Sequence, residues 1–289
     1  MKHYFNTNKV LTLTAVAISS ITIFFACKKE DKEGADEQQD VQVMGVAQKE
    51  AEINAIYEDA LEVTLETSAS DNGLDGSSRK APTGTEPQAR FCPSMEISYL
   101  PADLETWPKT IRIDFLTGCT DQFNRTRKGA ILVSLNKPIF LQGAEAIITF
   151  EDYYVNDIKV EGTQTVQSLF PGYAYNVSAG KLTFPGGKVM EYSGSRTITL
   201  KEGAETPLVL MDDVYELSGN ATVKDSLVTA QVVTTEKLIR KLNCAYIDKG
   251  ILTITANGQV ATLDYGNGEC DNKAMLTLKD KSKEITLPR

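Results

Sequence analysis

From residue 91 onward, apolar and polar side chains alternate with a period of two, the pattern of strands with one face in a core and one in water. In TIRIDF (110–115), Ile111, Ile113 and Phe115 face one way while Arg112 and Asp114 face the other. ILVSL (131–135), AIITF (146–150), RTITL (196–200), LVTAQVV (227–233), GILTITA (250–256), QVATLDY (259–265) and AMLTLK (274–279) also read as strands. Turn residues separate these runs at short intervals, and no long helical period intervenes. The fold class is therefore all-β: antiparallel sheets, as a sandwich or an elongated twisted sheet, over residues 91–289, a length that supports one substantial core.

Upstream the period changes. AEINAIYEDALEVTLE (51–66) sets Ile53, Ile56, Tyr57, Ala60 and either Val63 or Thr64 on one stripe. This predicts a short amphipathic helix over 47–67, packing on its own domain rather than on a partner. Ser, Gly and Pro crowd 68–90, which reads as a linker, and the polar, acidic 27–46 reads as a flexible tether.

Residues 1–26 form an address. Lys2, His3 and Lys9 flank the start of the uncharged VLTLTAVAISSITIFFA (10–26), which stops at Cys27, the layout of a secretory signal peptide. This run falls short of the ~20 residues of a comfortable membrane span; an uncleaved anchor is the alternative. FFAC resembles the lipobox of bacterial lipoproteins, with Phe24 where Leu is usual. That resemblance implies a mature chain beginning at Cys27, acylated on its sulfur (palmitate) and its amino group. One acyl chain gives marginal attachment; several give a stable anchor. KKEDKE (28–33) resembles the export signal that sends lipoproteins of Bacteroidota-type bacteria to the outer face of the outer membrane; as charge alone it is a solvated tether. The expected location is the outer membrane, lipid-anchored at the cell surface, with its periplasmic face as the alternative.

Removal of the signal sharpens the composition. Residues 1–26 hold two of the 30 basic residues and none of the 39 acidic ones, so the chain from Cys27 carries 28 bases against 39 acids, a net −11. Such a charge argues against nucleic acid and against docking on anionic lipid heads. The single histidine, His3, leaves with the signal. That closes Ser-His-Asp and Cys-His catalysis, His-ligated zinc and imidazole acid–base chemistry to the mature chain. No cofactor is expected.

With Cys27 acylated, Cys92, Cys119, Cys244 and Cys270 remain, an even number in an oxidising compartment, with three connectivities open. Spacing favours local bridges. Asn257-Gly258 joins GILTITA to QVATLDY as a two-residue hairpin, so Ala256 faces Gln259. Cys244 and Cys270 then fall almost opposite each other at the open end, one residue out of register, a mismatch that a bulge at Gly266 or Gly268 absorbs. Cys92 and Cys119 likewise flank MEISY (95–99) and TIRIDF about a longer loop. The sheets are thus predicted to rest on two similar disulfide-closed hairpin units, Cys92–Cys119 and Cys244–Cys270. The related stretches IDFLTGCTD (113–121) and LDYGNGECD (263–271) read as their joints. A calcium loop within 264–272, using Asp264, Asn267, Asp271 and Asn272, is the functional alternative, but Gly266 at a ligand position and the lack of a closing Glu depart from the EF-hand pattern. No metal ligand is assigned.

EDYYV (151–155) combines carboxylates with aromatic rings, as sugar-binding surfaces do. Glu151 and Asp152, being adjacent, point to opposite faces of a strand and cannot flank one glycosidic bond. No catalytic residue is assigned. Trp107, Tyr153 and Tyr154 are the candidate glycan contacts; cross-strand packing of the tyrosines and packing of Trp107 over the first disulfide are the structural alternatives. DSL (225–227) resembles the O-glycosylation sequon of the same bacterial group, with Ser226 as acceptor.

Three longer phrases, WPKTIRIDFLTGCTDQFNRTRKGAILVSL (107–135), ITFEDYYVNDIKVEGTQTV (148–166) and ATLDYGNGECDNKAMLTLKDKSKEITL (261–287), resemble a family of exported β-rich lipoproteins of Bacteroidota-type bacteria. The resemblance implies export, a lipid anchor and a β-rich body, and it carries over no activity and no catalytic residue. In that pattern Gly follows the aromatic of each joint; Leu116 stands there in the first copy. The expected function is a non-enzymatic binding or structural accessory at the cell surface, held to the membrane by its lipid and taking a glycan or protein ligand. A carboxylate-based glycan hydrolase and a periplasm-facing carrier of hydrophobic cargo are the alternatives.

Overall fold

A computed structural model describes residues 30–70, 91–103, 105–121, 123–169, 171–205 and 212–287. The expected signal peptide (1–26), Cys27 and positions 71–90 of the expected linker lie outside these residues. The chain divides into two compact units, 1–37 and 38–289. The second holds the sheet and its core.

One helix, α1 (Glu30–Ser70), precedes fourteen strands: β1 (Glu96–Leu100), β2 (Lys109–Asp114), β3 (Cys119–Thr120), β4 (Thr126–Leu135), β5 (Glu145–Val155), β6 (Ile158–Ser168), β7 (Gly172–Thr183), β8 (Val189–Glu202), β9 (Val214–Lys224), β10 (Thr229–Lys241), β11 (Lys249–Ala256), β12 (Gln259–Asn267), β13 (Lys273–Leu278) and β14 (Lys281–Thr286). They form one antiparallel sheet in which successive strands are neighbours, from β1 at one edge to β14 at the other, with β3 paired to β4 off this path. The fold is all-β with one helix, in a single sheet rather than the two packed sheets of a sandwich. Alternation identifies its inner face: Ile111, Ile113, Ile131, Val133, Ile148, Leu252, Ile254, Leu263 and Leu276 are buried.

The helix differs from the sequence-based expectation in length and in character. Residues 30–46, expected as a flexible tether, are helical, and the helix runs to Ser70 rather than ending at 67. Nor is it amphipathic: from Glu50 to Ser68 every residue is buried or half-buried. Side chains on β1, β4, β6, β8, β10 and β14 all reach α1. The sheet therefore curls around the helix, and the helix fills the concave side.

Close approach of helix to sheet requires bare backbone. The Tyr57 hydroxyl donates to the Glu161 carbonyl at 2.9 Å, and its ring stacks on Tyr192 at 5.3 Å. A Cβ at Gly180 would lie 2.7 Å from the Tyr57 hydroxyl and 2.6 Å from the Tyr192 carbonyl. Facing it, Gly162 has φ 122° and its own Cβ would lie 2.7 Å from the Gly180 Cα. Only glycine fits both positions.

Both expected bridges are present, with Cα–Cα distances of 5.8 Å for Cys92–Cys119 and 5.7 Å for Cys244–Cys270. Ala256 pairs with Gln259, and the register slips by one residue between Ile251–Asp264 and Lys249–Asn267. The bulge thus falls at Tyr265-Gly266, where Gly266 takes φ 98°, but its extra residue lies on β12 and widens the mismatch between Cys244 and Cys270 instead of absorbing it, so the turn over 242–246 carries Cys244 to its partner. A bridge that spans 26 residues removes chain entropy worth about 3–4 kcal/mol from the unfolded state. Replacing Cys244 and Cys270 together by serine is expected to lower unfolding free energy by about that amount, as read from urea denaturation under non-reducing conditions.

Candidate functional site: a charged groove along the helix

Helix carboxylates meet bases projecting from the sheet. Asp59, on the buried side of α1, accepts Arg127 Nε at 3.0 Å and Nη2 at 2.7 Å, and also pairs with Arg125. Arg127 is 2 % exposed, lies under the rings of Phe91 and Phe115, and reaches Asp121 Oδ2 and the Phe91 carbonyl at 3.0 Å each. Burial opposes the Arg127 charge, but Asp59 outweighs it and raises the pKa above the ordinary guanidinium value. Glu50 meets Arg196 at 3.1 Å in the interior, where burial raises its carboxyl pKa against the pull of Arg196. At the groove rim Glu62 stands 3.5 Å from Arg240, and ten residues into α1 Asp40 accepts Lys279 at 2.7 Å and Lys281 at 3.0 Å.

The half-buried stripe of α1, including Ala55, Glu58 and Glu62, faces a groove. A cavity of about 60 Å³ lies there between the helix, Arg125, Arg240, the 245–247 loop, Tyr265 and Leu287. A smaller one of about 20 Å³ adjoins it past Arg125, against Val155, Asn156 and Ile158. The disulfides brace both walls. Cys119 closes the loop that leads through Asp121 to Arg125, and Cys244 begins the segment Ala245–Ile247.

The two joints share one geometry. Asp114 Oδ1 accepts the Leu116 N–H at 2.7 Å, as Asp264 Oδ1 accepts that of Gly266 at 2.9 Å. Phe115 and Tyr265, between them, are buried. Leu116 takes φ 54°, so it adopts the left-handed backbone that Gly266 adopts without a Cβ. Asp121 Oδ1 then accepts the Phe123 and Arg125 amides, and Asp271 Oδ1 that of Lys273. Asn267 Oδ1 likewise accepts Glu269 N. Asp264, Asn267 and Asp271, three of the four residues named for a calcium loop, thus each commit a side-chain oxygen to a turn, and no group of three or more His, Cys, Asp or Glu is placed to hold a metal among the described residues.

The candidate glycan contacts do not converge. Tyr153 is fully buried against Phe115, Phe150 and Arg127, so it is a core residue, and burial, with Asp59 beside it, raises its phenol pKa. Tyr154 is half-buried, with Lys128 Nζ 4.2 Å above its ring. Trp107 is half-buried beside Lys109 at the far end of β2 from Cys119, so it does not pack over the first disulfide. Glu151 and Asp152 are both exposed, because Asp152 sits at a bulge with φ 41° rather than in regular strand. They still engage separate bases, Arg112 at 2.9 Å and Lys159 at 3.5 Å. Ser226 is exposed at the β9–β10 turn, beside Asp225, whose carboxylate accepts the Leu227 and Val228 amides. The groove residues Asn54, Glu58 and Glu62 escape sequence reading, although EDALE carries its acids at helical spacing. Comparison with known proteins finds no family model, no curated relative and no solved structure that matches.

Asp59→Asn leaves Arg125 and Arg127 without their shared charge and is expected to cost about 3–5 kcal/mol in urea unfolding, whereas Glu62→Gln at the rim costs less than about 1 kcal/mol. Lys279 and then Lys281 hold the Asp40 carboxyl down to about 2. Its contribution is present above the unfolded-state value of about 3.9 and fades as pH falls toward 2. The difference in thermal midpoint between the native chain and Asp40→Asn is therefore expected to close between about pH 5 and pH 2.

Proposed function

We propose that this chain is a lipid-anchored, non-enzymatic binding or structural accessory of the outer membrane, displayed at the cell surface, with a glycan or protein as its ligand. The observation that carries this reading is the FFAC junction at Cys27, followed directly by KKEDKE. An acylated first residue holds the body to a membrane without a span, and no described helix is long and apolar enough to cross one.

Two further features support binding over chemistry. The mature chain has no histidine. The helix occupies the concave side of the sheet and leaves only a groove cavity of about 60 Å³ beside it. Recognition would then fall to the rims and the outer face, where Ser226 also stands as the proposed glycosylation acceptor.

Cys27→Ser is expected to abolish incorporation of labelled palmitate and to release the protein from the membrane fraction. Intact cells expressing the native chain are expected to label with antibody and to lose the label on protease shaving. A native chain that stays unlabelled until the outer membrane is opened would move the protein to the periplasmic face and sink the display reading. Release of reducing sugar from a glycan panel by the purified protein would replace the binding reading with the hydrolase.

A further inference from the structure

Among the described residues, each acid named around the groove has an ion-pair partner except one. Asp59 and Asp121 are matched by Arg125 and Arg127, Glu62 by Arg240, and Glu50 by Arg196. Glu58 lines the cavity and makes no ion pair among the described residues; its partner there is the Asn54 side-chain amide, which donates to Glu58 Oε1 at 3.0 Å. Asn54 is 3 % exposed, lines the same cavity, and its carbonyl Oδ1 has no hydrogen-bond partner among the described residues. A buried amide oxygen without a donor is left with its desolvation unmet, and a carboxylate next to it that Arg240 and Arg196 reach only at longer range, without an ion pair, adds to the demand for a positive donor. Tyr265 and Tyr246 stand on the opposite wall, and aromatic faces attract cations.

We propose that this groove binds a primary ammonium group, the N–H donors going to the Glu58 carboxylate and the Asn54 carbonyl. The inference is independent of the lipid anchor. A single positive charge is what the pairing leaves room for, since Arg125 and Arg240 flank the cavity and disfavour a divalent ion. About 60 Å³ admits the head of an amine, and the two acceptors favour one that carries N–H donors over a quaternary ion. The ammonium could belong to a free small amine or to a lysine side chain of a protein ligand; the chemistry at Glu58 is the same.

The test is titration of the purified full chain with methylammonium, tetramethylammonium and Nα-acetyl-lysine amide, followed by amide NMR and calorimetry. Methylammonium is expected to shift the Asn54 side-chain amide and the 245–247 backbone, and tetramethylammonium, which has no N–H donor, to leave them unmoved. Glu58→Gln is expected to weaken methylammonium binding at least tenfold with an unchanged far-UV circular dichroism spectrum. Ala55→Leu, which keeps every charge and fills the space, is expected to weaken it as much, and stands as the deciding variant if Glu58→Gln does not fold. Tighter binding of the lysine derivative than of methylammonium assigns the site to a protein ligand; equal or weaker binding assigns it to a free amine. No saturable shift in the native chain, equal response to tetramethylammonium, or undiminished binding in Ala55→Leu would each overturn the proposal.

Discussion

The structure depends on matching buried acids of one helix to bases carried inward by the strands around it. A helix wrapped on most of its circumference by a sheet would ordinarily be apolar all round. Here it carries Glu50 and Asp59 into the interior, where an unpaired charge would cost several kcal/mol. Arg196 from β8 and Arg127 from β4 meet them, each in an ion pair with a different carboxylate of α1. Apolar packing alone would tolerate a slide of one turn along the helix. The ion pairs do not, because a slide of about 5.4 Å would strand both pairs at once. The charges therefore set the register of helix against sheet, while the apolar residues supply most of the driving force.

The disulfide units act on the same register from outside. Cys92–Cys119 secures the loop that delivers Asp121 and Arg125 to the Arg127–Asp59 cluster, so covalent closure and buried electrostatics support each other at one end of the sheet. Cys244–Cys270 fixes the 245–247 segment across the groove. A short acidic, glycine-bearing stretch recurs at both sites for one mechanical reason. An Asp side chain caps the turn, an aromatic anchors it in the core, and the next residue takes a left-handed backbone. Leucine in that role at 116 shows that capping and anchoring are strong enough to hold a residue with a Cβ where glycine is the easier choice.

Strands with regular alternation are legible in the amino-acid sequence alone, as are the Asn257-Gly258 hairpin, both bridges and the presence of a bulge at Gly266, though the turn over 242–246, not that bulge, brings Cys244 to Cys270. Each depends on neighbours close in sequence. The strands over 158–168, 172–183 and 214–224 are not legible in this way, because Gly162, Gly180 and Gly219 interrupt the pattern where the strands approach other backbone. The helix reads as amphipathic because Ile53, Ile56 and Tyr57 do share a stripe. What the pattern hides is that Glu50 and Asp59 on other faces are buried too, since their partners lie more than 60 residues away, at separations of 146 and 68. Tyr153 fails as a glycan contact for a related reason: its alternation with Tyr154 fixes that they face oppositely, not which of the two faces the core.

A sheet that fills its own concavity with its own helix has little interior left for a ligand, and this shapes where recognition can occur. The helix is enclosed except along one stripe, and that stripe holds Glu58, the carboxylate that the internal pairing leaves over. Its partial exposure goes with its lack of an ion pair: Arg240 of β10 lines the same cavity but pairs with Glu62 and acts on Glu58 only at longer range. The acceptors at Asn54 and Glu58 thus line the opening that incomplete wrapping leaves, and the braced loops on either side keep the opening from collapsing onto them. The same architecture that excludes a large cargo from the interior preserves a small, rigid and negatively biased recess at its margin.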